Sequence, residues 1–342
     1  MQFCVGAVLA GVALTIPTAH FFQLTLAFFW LLALASATHD VAADGFYLTA
    51  LPEREQSLFS GVRNTFYRIA AIVAQGELVV LAGEIHQRTG SFATAWTLVF
   101  ALAAGVFLLL ALYHRWRLPR PAGDVPGGKL VSQNFLGTFA AFFQKPKIGT
   151  LIAFLLLYRF GEAQLLNVAK FFLLDPREKG GLALTDDQFG WLYGHVGVGA
   201  LLGGGLLGGF VVSRQGLKFW LWPMLLAIHL PDAVFIWLAA AQPENLFVIG
   251  TGVAVEQFGY GFGFTAFMLY MIRIARGGHQ TAHYALCTGF MALGMMVPGM
   301  WSGWLQEHLG YKIFFIWVIL ATIPSFLVAR KIPLEAGFGR RD

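Results

Sequence analysis

Ten apolar runs that can cross a lipid bilayer as helices, the first of them short, dominate this sequence of 342 residues. An α-helix rises about 1.5 Å per residue, so roughly 20 apolar residues span the hydrocarbon core. Only 12% of the residues are charged, which is about half the share usual in soluble domains. The sequence therefore predicts an all-α, polytopic membrane protein. The runs lie at about 2–17, 22–50, 58–83, 92–113, 148–174, 187–212, 218–240, 245–273, 282–305 and 311–330.

The basic residues predict the orientation of these spans. The net charge is +5, but Lys and Arg are scattered singly between apolar runs and form no stripe or arm, which argues against nucleic-acid binding. If the N-terminus is cytoplasmic, the outer loops hold only Arg88, Arg177, Lys179 and Lys312, and the inner loops hold most of the remainder. Because Lys and Arg concentrate on the cytoplasmic side, both termini are predicted to be cytoplasmic.

A long polar segment at residues 114–147 divides the spans into two groups. It is basic and rich in Pro and Gly, which is typical of a cytoplasmic linker. We expect four helices in residues 1–113, six in residues 148–330, and a cytoplasmic tail at 331–342. A single helical face within the linker predicts a short amphipathic helix on the membrane surface. That face carries Phe135, Leu136, Phe139, Phe142 and Phe143.

A short motif recurs at matching helix–loop–helix corners of the two groups. GEIHQRTGS (Gly83–Ser91) and GWLQEHLGY (Gly303–Tyr311) share the spacing Gly-x6-Gly, and their offset is 220 residues, from 83 to 303. At this offset the first two helices of the second group have no counterpart, because their partners would lie upstream of Met1. The pattern predicts two six-helix halves of which the first here has four helices.

The loop GFVVSRQGLK resembles the motif G-x-x-x-D-R-x-G-x-K of the major facilitator superfamily, with Ser213 in place of Asp. The matching positions are Gly209, Arg214, Gly216 and Lys218. Its glycines permit a tight turn close to a neighbouring helix, and its basic residues hold the turn on the cytoplasmic side. The motif repeats in both halves of that superfamily, and its first copy would lie just upstream of Met1. The resemblance implies that the chain holds the last ten helices of a twelve-helix fold, arranged as 4 + 6 instead of 6 + 6. A start codon placed too late or a truncated gene would explain the difference. The alternatives are a natural ten-helix protein and a non-functional truncated transporter.

The segment ATHDVAADGFY, from Ala37, resembles the ATQD-x-x-x-D segment of AmpG-like permeases, with His39 at the position of Gln. A second similarity begins at Tyr158, in YRFGEAQL. These permeases import muropeptides and form part of the peptide, acetyl-CoA and drug transporter group. The resemblance implies import of peptidoglycan-derived anhydro-muropeptides across the bacterial inner membrane, for cell-wall recycling. A proton-coupled sugar or peptide symporter of a related family is the alternative.

Two carboxylates within the second apolar run are candidates for proton coupling. Asp40 and Asp44 are one helical turn apart and share a face. A charge at the centre of a membrane helix costs roughly 2.5–3.5 kcal/mol, so we expect a water-filled interior beside them. Two neighbouring carboxylates repel each other, and one of them is expected to hold a proton near neutral pH. Alternatively, the two aspartates pair with Arg63 and Arg68 and fix the corner between two helices. The adjacent His39 either contacts the solute or forms a hydrogen bond with a neighbouring side chain.

The third run offers two candidate solute ligands. Arg68 and Gln75 share one helical stripe with Asn64. A guanidinium can bind carboxylates or sugar hydroxyls through several donors, so Arg68 and Gln75 are predicted to contact the solute.

The first run after the linker carries a charged stripe on one helical face. Arg159, Glu162 and Lys170 lie on this face, and Gln164 and Asn167 lie on a neighbouring one. In the first interpretation, Arg159 and Glu162 neutralise each other, as residues three apart on a helix can. The functional interpretation is that Glu162 binds a proton while Arg159 or Lys170 meets an anionic solute, with Gln164 and Asn167 as further ligands.

Glu256 and Gln257, in the middle of a later run, complete the candidate set. A lone buried Glu needs a partner or a proton, so Glu256 is a candidate for proton coupling and Gln257 for solute binding. His195, His229 and Asp232 lack the spacing of metal ligands, and the sequence assigns them no role.

A membrane-embedded acyl or glycosyl transferase is the rival of another class. Its best catalytic pair would be His39 and Asp40, which diverge on a helix because they are adjacent. The residues thus favour a secondary transporter over an enzyme, without cofactor or metal. We expect a monomer whose partners are a small solute, protons and the lipid bilayer.

Overall fold

The computed structural model describes residues 1–119, 135–335 and 337–340, apart from the side chains of a few residues between 53 and 75 and of Phe135. The described part is built of helices and connecting turns and contains no strand. The first five helices are α1 (Gln2–Thr15), α2 (Phe21–Ala50), α3 (Glu53–Ile72), α4 (Leu78–Thr89) and α5 (Phe92–Arg117). The remaining ones are α6 (Phe135–Phe143), α7 (Ile148–Leu157), α8 (Phe160–Leu174), α9 (Asp186–Trp191), α10 (Val198–Gln215), α11 (Leu217–His229), α12 (Ala233–Ala241), α13 (Leu246–Ala275), α14 (Gln280–Ala321) and α15 (Ile323–Ala329).

Each of the ten apolar runs is helical, which confirms the predicted all-α, multi-pass membrane class. Within the described residues, seven helical segments are long and apolar enough to cross a membrane, and the last of them, Gln280–Ala329, covers two of the predicted runs. α1, with 14 residues, is apolar but shorter. The third run folds as α3 and α4 joined by a π-helical turn at Val73–Glu77 and is the most polar of the ten.

Both copies of the repeated motif place a glycine with positive φ at their corner, although ψ differs between them, 5° at Gly90 and 162° at Gly310. Gly90 and Gly310, the second glycines of the two copies, both have φ of 70°. A residue with a Cβ is strained at this angle, so glycine ends the incoming helix at both corners. Gly310 is also the non-helical point within α14, where the two predicted runs 282–305 and 311–330 meet.

The chain divides into two compact units. One comprises Met1–Ala50 and Tyr67–Pro126, and the other comprises Leu51–Phe66 and Gly127–Asp342. The first half of α3 thus packs with the C-terminal helices. The division into domains at 113 and 148 stays a prediction.

In the first unit, α1 packs between α2 and α5. Val5, Leu9 and Ala104 form its buried centre, and Gly6 allows close approach to Leu108, whose side chain would lie 2.9 Å from a Cβ. At one end, the ring Nδ1 of His114 lies 2.8 Å from Oε1 of Gln2.

In the second unit, glycines bring α10 and α13 into backbone contact. A Cβ on Gly204 would overlap the carbonyl oxygen of Phe258, and one on Gly261 would overlap that of Leu201. The GxxxG spacing of Gly197–Gly209 therefore serves close helix contact, as is common in membrane proteins.

The predicted amphipathic helix forms as α6. Phe142 is fully buried and its ring stacks on Phe290 with centroids 6.1 Å apart, whereas Leu136 is 81% exposed. Phe142 and Phe143 of the apolar face, which both contact Phe290, therefore anchor α6 to α14. Its position on the membrane surface stays a prediction, and residues 120–134 of the predicted linker lie outside the described part.

Candidate functional site

A break between α7 and α8 creates a buried ion pair. Arg159 lies in the break, with φ of −111° and ψ of 16°. Its Nε donates to Oε2 of Glu162 over 2.7 Å, and its Nη2 donates to Oε1 over 2.8 Å. Glu162 is 0% exposed and Arg159 only 6%. This two-point geometry is the strong form of an ion pair, and it shows that the two residues neutralise each other as their spacing allows.

Two aromatic side chains of α13 complete the surroundings of the guanidinium. Nη2 of Arg159 also donates to the hydroxyl of Tyr260 over 2.8 Å. The guanidinium carbon lies 5.0 Å from the ring centre of Tyr260 and 4.8 Å from that of Phe264, within cation–π range. Any solute that binds Arg159 must therefore compete with Glu162 and Tyr260.

A second polar pair lies on α13. Glu256 is 2% exposed and Gln257 is 6% exposed. Nε2 of Gln257 donates to Oε2 of Glu256 over 2.9 Å. Half-buried Tyr193, on the π-helical turn Leu192–Gly197, interacts with both. π-Helical turns inside α-helices are often found at functional sites.

A third buried carboxyl, Asp232, follows the end of α11, where Leu230–Asp232 forms a single 3-10 turn before α12. Asp232 is 1% exposed, and neither carboxyl oxygen has a hydrogen-bond partner among the described residues. Nearby, Nε2 of His229 lies 3.0 Å from the hydroxyl of Ser325. The sequence interpretation gave Asp232 and His229 no role. A possible signal was Pro231, because a proline beside a carboxylate in an apolar run marks a helix break.

The other predicted ligands of α8 have defined partners. Gln164 is fully buried, and its Oε1 accepts from the indole of Trp317 over 2.9 Å. Asn167 donates to the carbonyl of Ala163 over 2.8 Å. The exposed Lys170 places its ammonium 5.8 Å from the ring centre of Phe189. A solute role for these residues stays a prediction, and in Gln164 it would require breaking the bond to Trp317.

The candidates of α2 have contrasting environments. The side chain of Asp40 is 77% exposed, whereas Asp44 is buried. Nδ1 of His39 lies 4.0 Å from Oδ1 of Asp40, so these adjacent side chains approach each other more closely than their helical divergence suggests. Arg68 and Gln75 lie on helical backbone, but their side chains are outside the described residues.

The loop motif occupies the turn between α10 and α11. Gly216 has φ of 84°, a conformation that favours glycine. A Cβ on Gly209 would lie 2.8 Å from the carbonyl oxygen of Ser57, so this glycine lets α3 approach α10. The guanidinium of Arg214 lies 4.5 Å from the ring centre of Phe210, and Lys218 is exposed.

An open pocket of about 690 Å³ lies in the second unit, between α9 and the first half of α13. Its lining is mostly apolar and includes Leu192, Phe247, Val255 and Phe258. It contains none of the predicted site residues. Such a surface suits acyl chains and lacks the polar groups that a sugar or a peptide requires.

Comparisons with known proteins give the fold first. No protein-family model matches the chain. Two crystal structures of the fucose:proton symporter FucP match the fold of this chain, with TM-scores of 0.65 and 0.70. The first is from Escherichia coli, and the second is described as a major facilitator superfamily transporter in the outward conformation. They cover 98% of this chain and 83% of the symporter at 15% and 14% identity. The chain therefore has the major facilitator fold.

Sequence comparisons give more specific relatives. The chain is 22% identical over 305 residues to the anhydromuropeptide permease of Escherichia coli, and 25% identical over 303 residues to the putative transporter AmpG 4 of Rickettsia conorii. It is 27% identical over 306 residues to an uncharacterized protein of Haemophilus influenzae. The alignments cover 87% of this chain and 59%, 70% and 69% of these relatives, respectively. The predicted resemblance to AmpG-like permeases is thus confirmed, and the named relatives are transporters and not enzymes.

Proposed function

We propose that this chain is a secondary transporter of the bacterial inner membrane that imports peptidoglycan-derived muropeptides together with protons. The observation that carries the proposal is the set of buried ionisable groups in the middle of apolar spans, namely Arg159, Glu162, Glu256 and Asp232. Such groups are costly in a membrane, and they mark the ion and substrate pathways of transporters. Likeness to the anhydromuropeptide permease supports the choice of solute.

The two carboxylates of α2 have contrasting environments in this proposal. The side chain of Asp40 is 77% exposed and is the proposed site of proton exchange, whereas Asp44, one turn away, is buried. Protonation of Asp40 and of the carboxyls in the C-terminal helices would remove charge from the spans and so permit the change between inward and outward openings. His39, Arg68, Gln75 and Gln257 are the proposed polar contacts of the solute.

Orientation and location belong to the same proposal. The excess of Lys and Arg in alternate loops supports cytoplasmic termini, and the permease likeness supports the inner membrane.

The test is uptake of labelled anhydro-muropeptide into proteoliposomes that contain the purified chain. We expect accumulation only when the external medium is more acidic than the lumen, since the proton gradient supplies the driving force. Asp40→Asn should abolish this accumulation, because the amide cannot release a proton. Glu178→Gln, an exposed carboxyl in the turn Arg177–Lys179, is the matched control and should transport normally. Equal accumulation by Asp40→Asn and the native chain would refute the role of Asp40.

A proton-coupled symporter of free sugars or peptides is the second candidate, and the fold of the fucose:proton symporter favours it. The same vesicles distinguish the two. If unlabelled sugar or dipeptide competes with the labelled solute as well as muropeptide does, the second candidate is preferred.

A further inference from the structure

The polar residues that follow α15 fold back onto the second unit. We call residues 332–335 and 337–340 the C-terminal tail. Within it, Phe338 is only 6% exposed, although it lies beyond the last helix. A segment near a chain end is usually poorly ordered unless specific contacts hold it down. The contacts of the tail therefore indicate what it does.

The first part of the tail binds the end of α13. Oε1 of Glu335 accepts from Nη2 of Arg273 over 2.9 Å, and Oε2 of Glu335 lies 3.9 Å from Nη1 of Arg276. The hydroxyl of Tyr270 donates to the carbonyl oxygen of Pro333 over 3.2 Å. One carboxylate thus lies between two guanidinium groups at the same helix end and draws the tail onto α13.

The second part of the tail binds the turn that carries the loop motif. The carbonyl oxygen of Phe338 accepts from the backbone N–H of Leu217 over 2.8 Å. Leu217 begins α11, and an N–H at that position has no partner within its own helix. The guanidinium of Arg276 lies 4.4 Å from the ring centre of Phe338, within cation–π range. The tail thus joins the end of α13 to the start of α11.

Gly339 brings the tail to the contact between α3 and α10. It has φ of 81°, which favours glycine, and a Cβ there would lie 2.9 Å from Oγ of Ser57 and 3.1 Å from Cγ1 of Val212. Ser57 belongs to α3 and Val212 to α10. These helices touch through their backbones, since a Cβ on Gly61 would overlap the carbonyl oxygen of Gly205. The tail therefore covers one end of the α3–α10 contact.

Alternating access gives this end of the molecule a special position. α3 passes from the second unit into the first at Tyr67. Transporters of this class work by rocking one helical bundle against the other, so a contact made by such a helix has to open and close. The orientation proposed above places both the tail and the turn before α3 on the cytoplasmic side.

We propose that the C-terminal tail is a strap that holds the cytoplasmic side closed. It fastens α13, the α10–α11 turn and α3 to one another, and it releases before solute leaves toward the cytoplasm. The inference rests on the proposed transport function and adds a step to its cycle. Phe338 is the main anchor, because a buried aromatic ring contributes more than an ion pair whose carboxylate, on Glu335, is 67% exposed.

Distances between two spin labels test the strap without any solute. In a chain whose two native cysteines are replaced, Leu58→Cys and Lys218→Cys place labels on α3 and at the start of α11, where both side chains are exposed. The reconstituted chain with its native tail should give mainly one short distance. Phe338→Ala should add a longer distance and raise its share relative to the short one by about tenfold or more, because the main anchor is lost.

Two further variants make this result specific to the strap. Glu335→Gln keeps every backbone contact of the tail and should raise the share of the longer distance by about twofold to fivefold, as expected for exposed ion pairs. Arg340→Gln changes an exposed side chain of the same tail and should leave the distances as they are. Unchanged distances in Phe338→Ala would overturn the strap. Should Phe338→Ala fail to fold, unchanged distances in Glu335→Gln would overturn it equally.

Uptake measurements separate this inference from the proposed function. Phe338→Ala should raise the external solute concentration required for half-maximal uptake, because a smaller fraction of the molecules is open to the outside. An unchanged concentration would remove the strap from the transport cycle. If the native chain moves no tested solute yet the label distances respond as expected, the proposed function fails while the strap stands.

Discussion

Arg159 and Glu162 show how one buried pair constrains the site. Each charge is costly in the membrane interior, and each is tolerated because the other lies within 2.8 Å. The pair also binds Tyr260 of α13, so it joins the α7–α8 break to a second helix. A solute or a proton that acts on either member would therefore affect both helices.

A double-mutant cycle measures this coupling. Glu162→Gln alone should destabilise the chain by about 3–5 kcal/mol, because the guanidinium of Arg159 is left buried without its carboxylate. Arg159→Gln combined with Glu162→Gln should cost less than the single change, since no unpaired charge remains. Unfolding in mixed micelles gives both values. A double variant less stable than Glu162→Gln would contradict this account of the pair.

For single residues, the sequence predicted the contact between residues close in the chain and missed contacts between residues far apart in the chain. Arg159 and Glu162 are three residues apart, so their contact follows from helix geometry alone. Arg159 and Tyr260 are 101 residues apart, and their hydrogen bond forms only because α13 packs against the α7–α8 break. Nothing in the local pattern of either helix specifies that approach.

Helices of the second unit depend on glycine at their contacts. On α10, a Cβ at Gly204 would overlap the backbone of α13, whereas a Cβ at the neighbouring Gly203 would meet nothing within 4 Å. The glycines are thus not equivalent, although the sequence shows an unbroken run of them.

Alanine substitutions at these two neighbours should have opposite effects. Gly204→Ala should lower the free energy of unfolding by about 1–3 kcal/mol, because the contact is overpacked. Gly203→Ala should raise it by roughly 0.5–1 kcal/mol, because alanine restricts the unfolded chain and favours the helix. Thermal unfolding in detergent compares the two variants. The same gain of stability in both would mean that α10 and α13 are not in contact at Gly204.

The helices were more predictable than their interruptions. Every apolar run became a helix because a backbone in lipid must satisfy its own hydrogen bonds. The breaks at Arg159, at Leu230–Asp232 and in the π-helical turn Leu192–Gly197 escaped prediction, since each lies within a continuous apolar run. These breaks adjoin the buried polar groups, where regular helix gives way to side-chain interactions.

For the whole molecule, the central claim is that solute and proton move together through a major facilitator fold. The fold agrees with the solved symporter structures over 98% of the chain. The sequence could give this class because span length and motif spacing are set by the bilayer and by local turns. It could not give the solute, which depends on side chains brought together from distant segments.

The most direct measurement is the pH of the medium around unbuffered proteoliposomes when anhydro-muropeptide is added without any imposed gradient. Our account predicts that the medium becomes more alkaline as the solute enters, because each import event carries a proton inward. The change should vanish in Asp40→Asn and persist in Glu178→Gln. Entry of labelled solute without any change in external pH would contradict proton-coupled import.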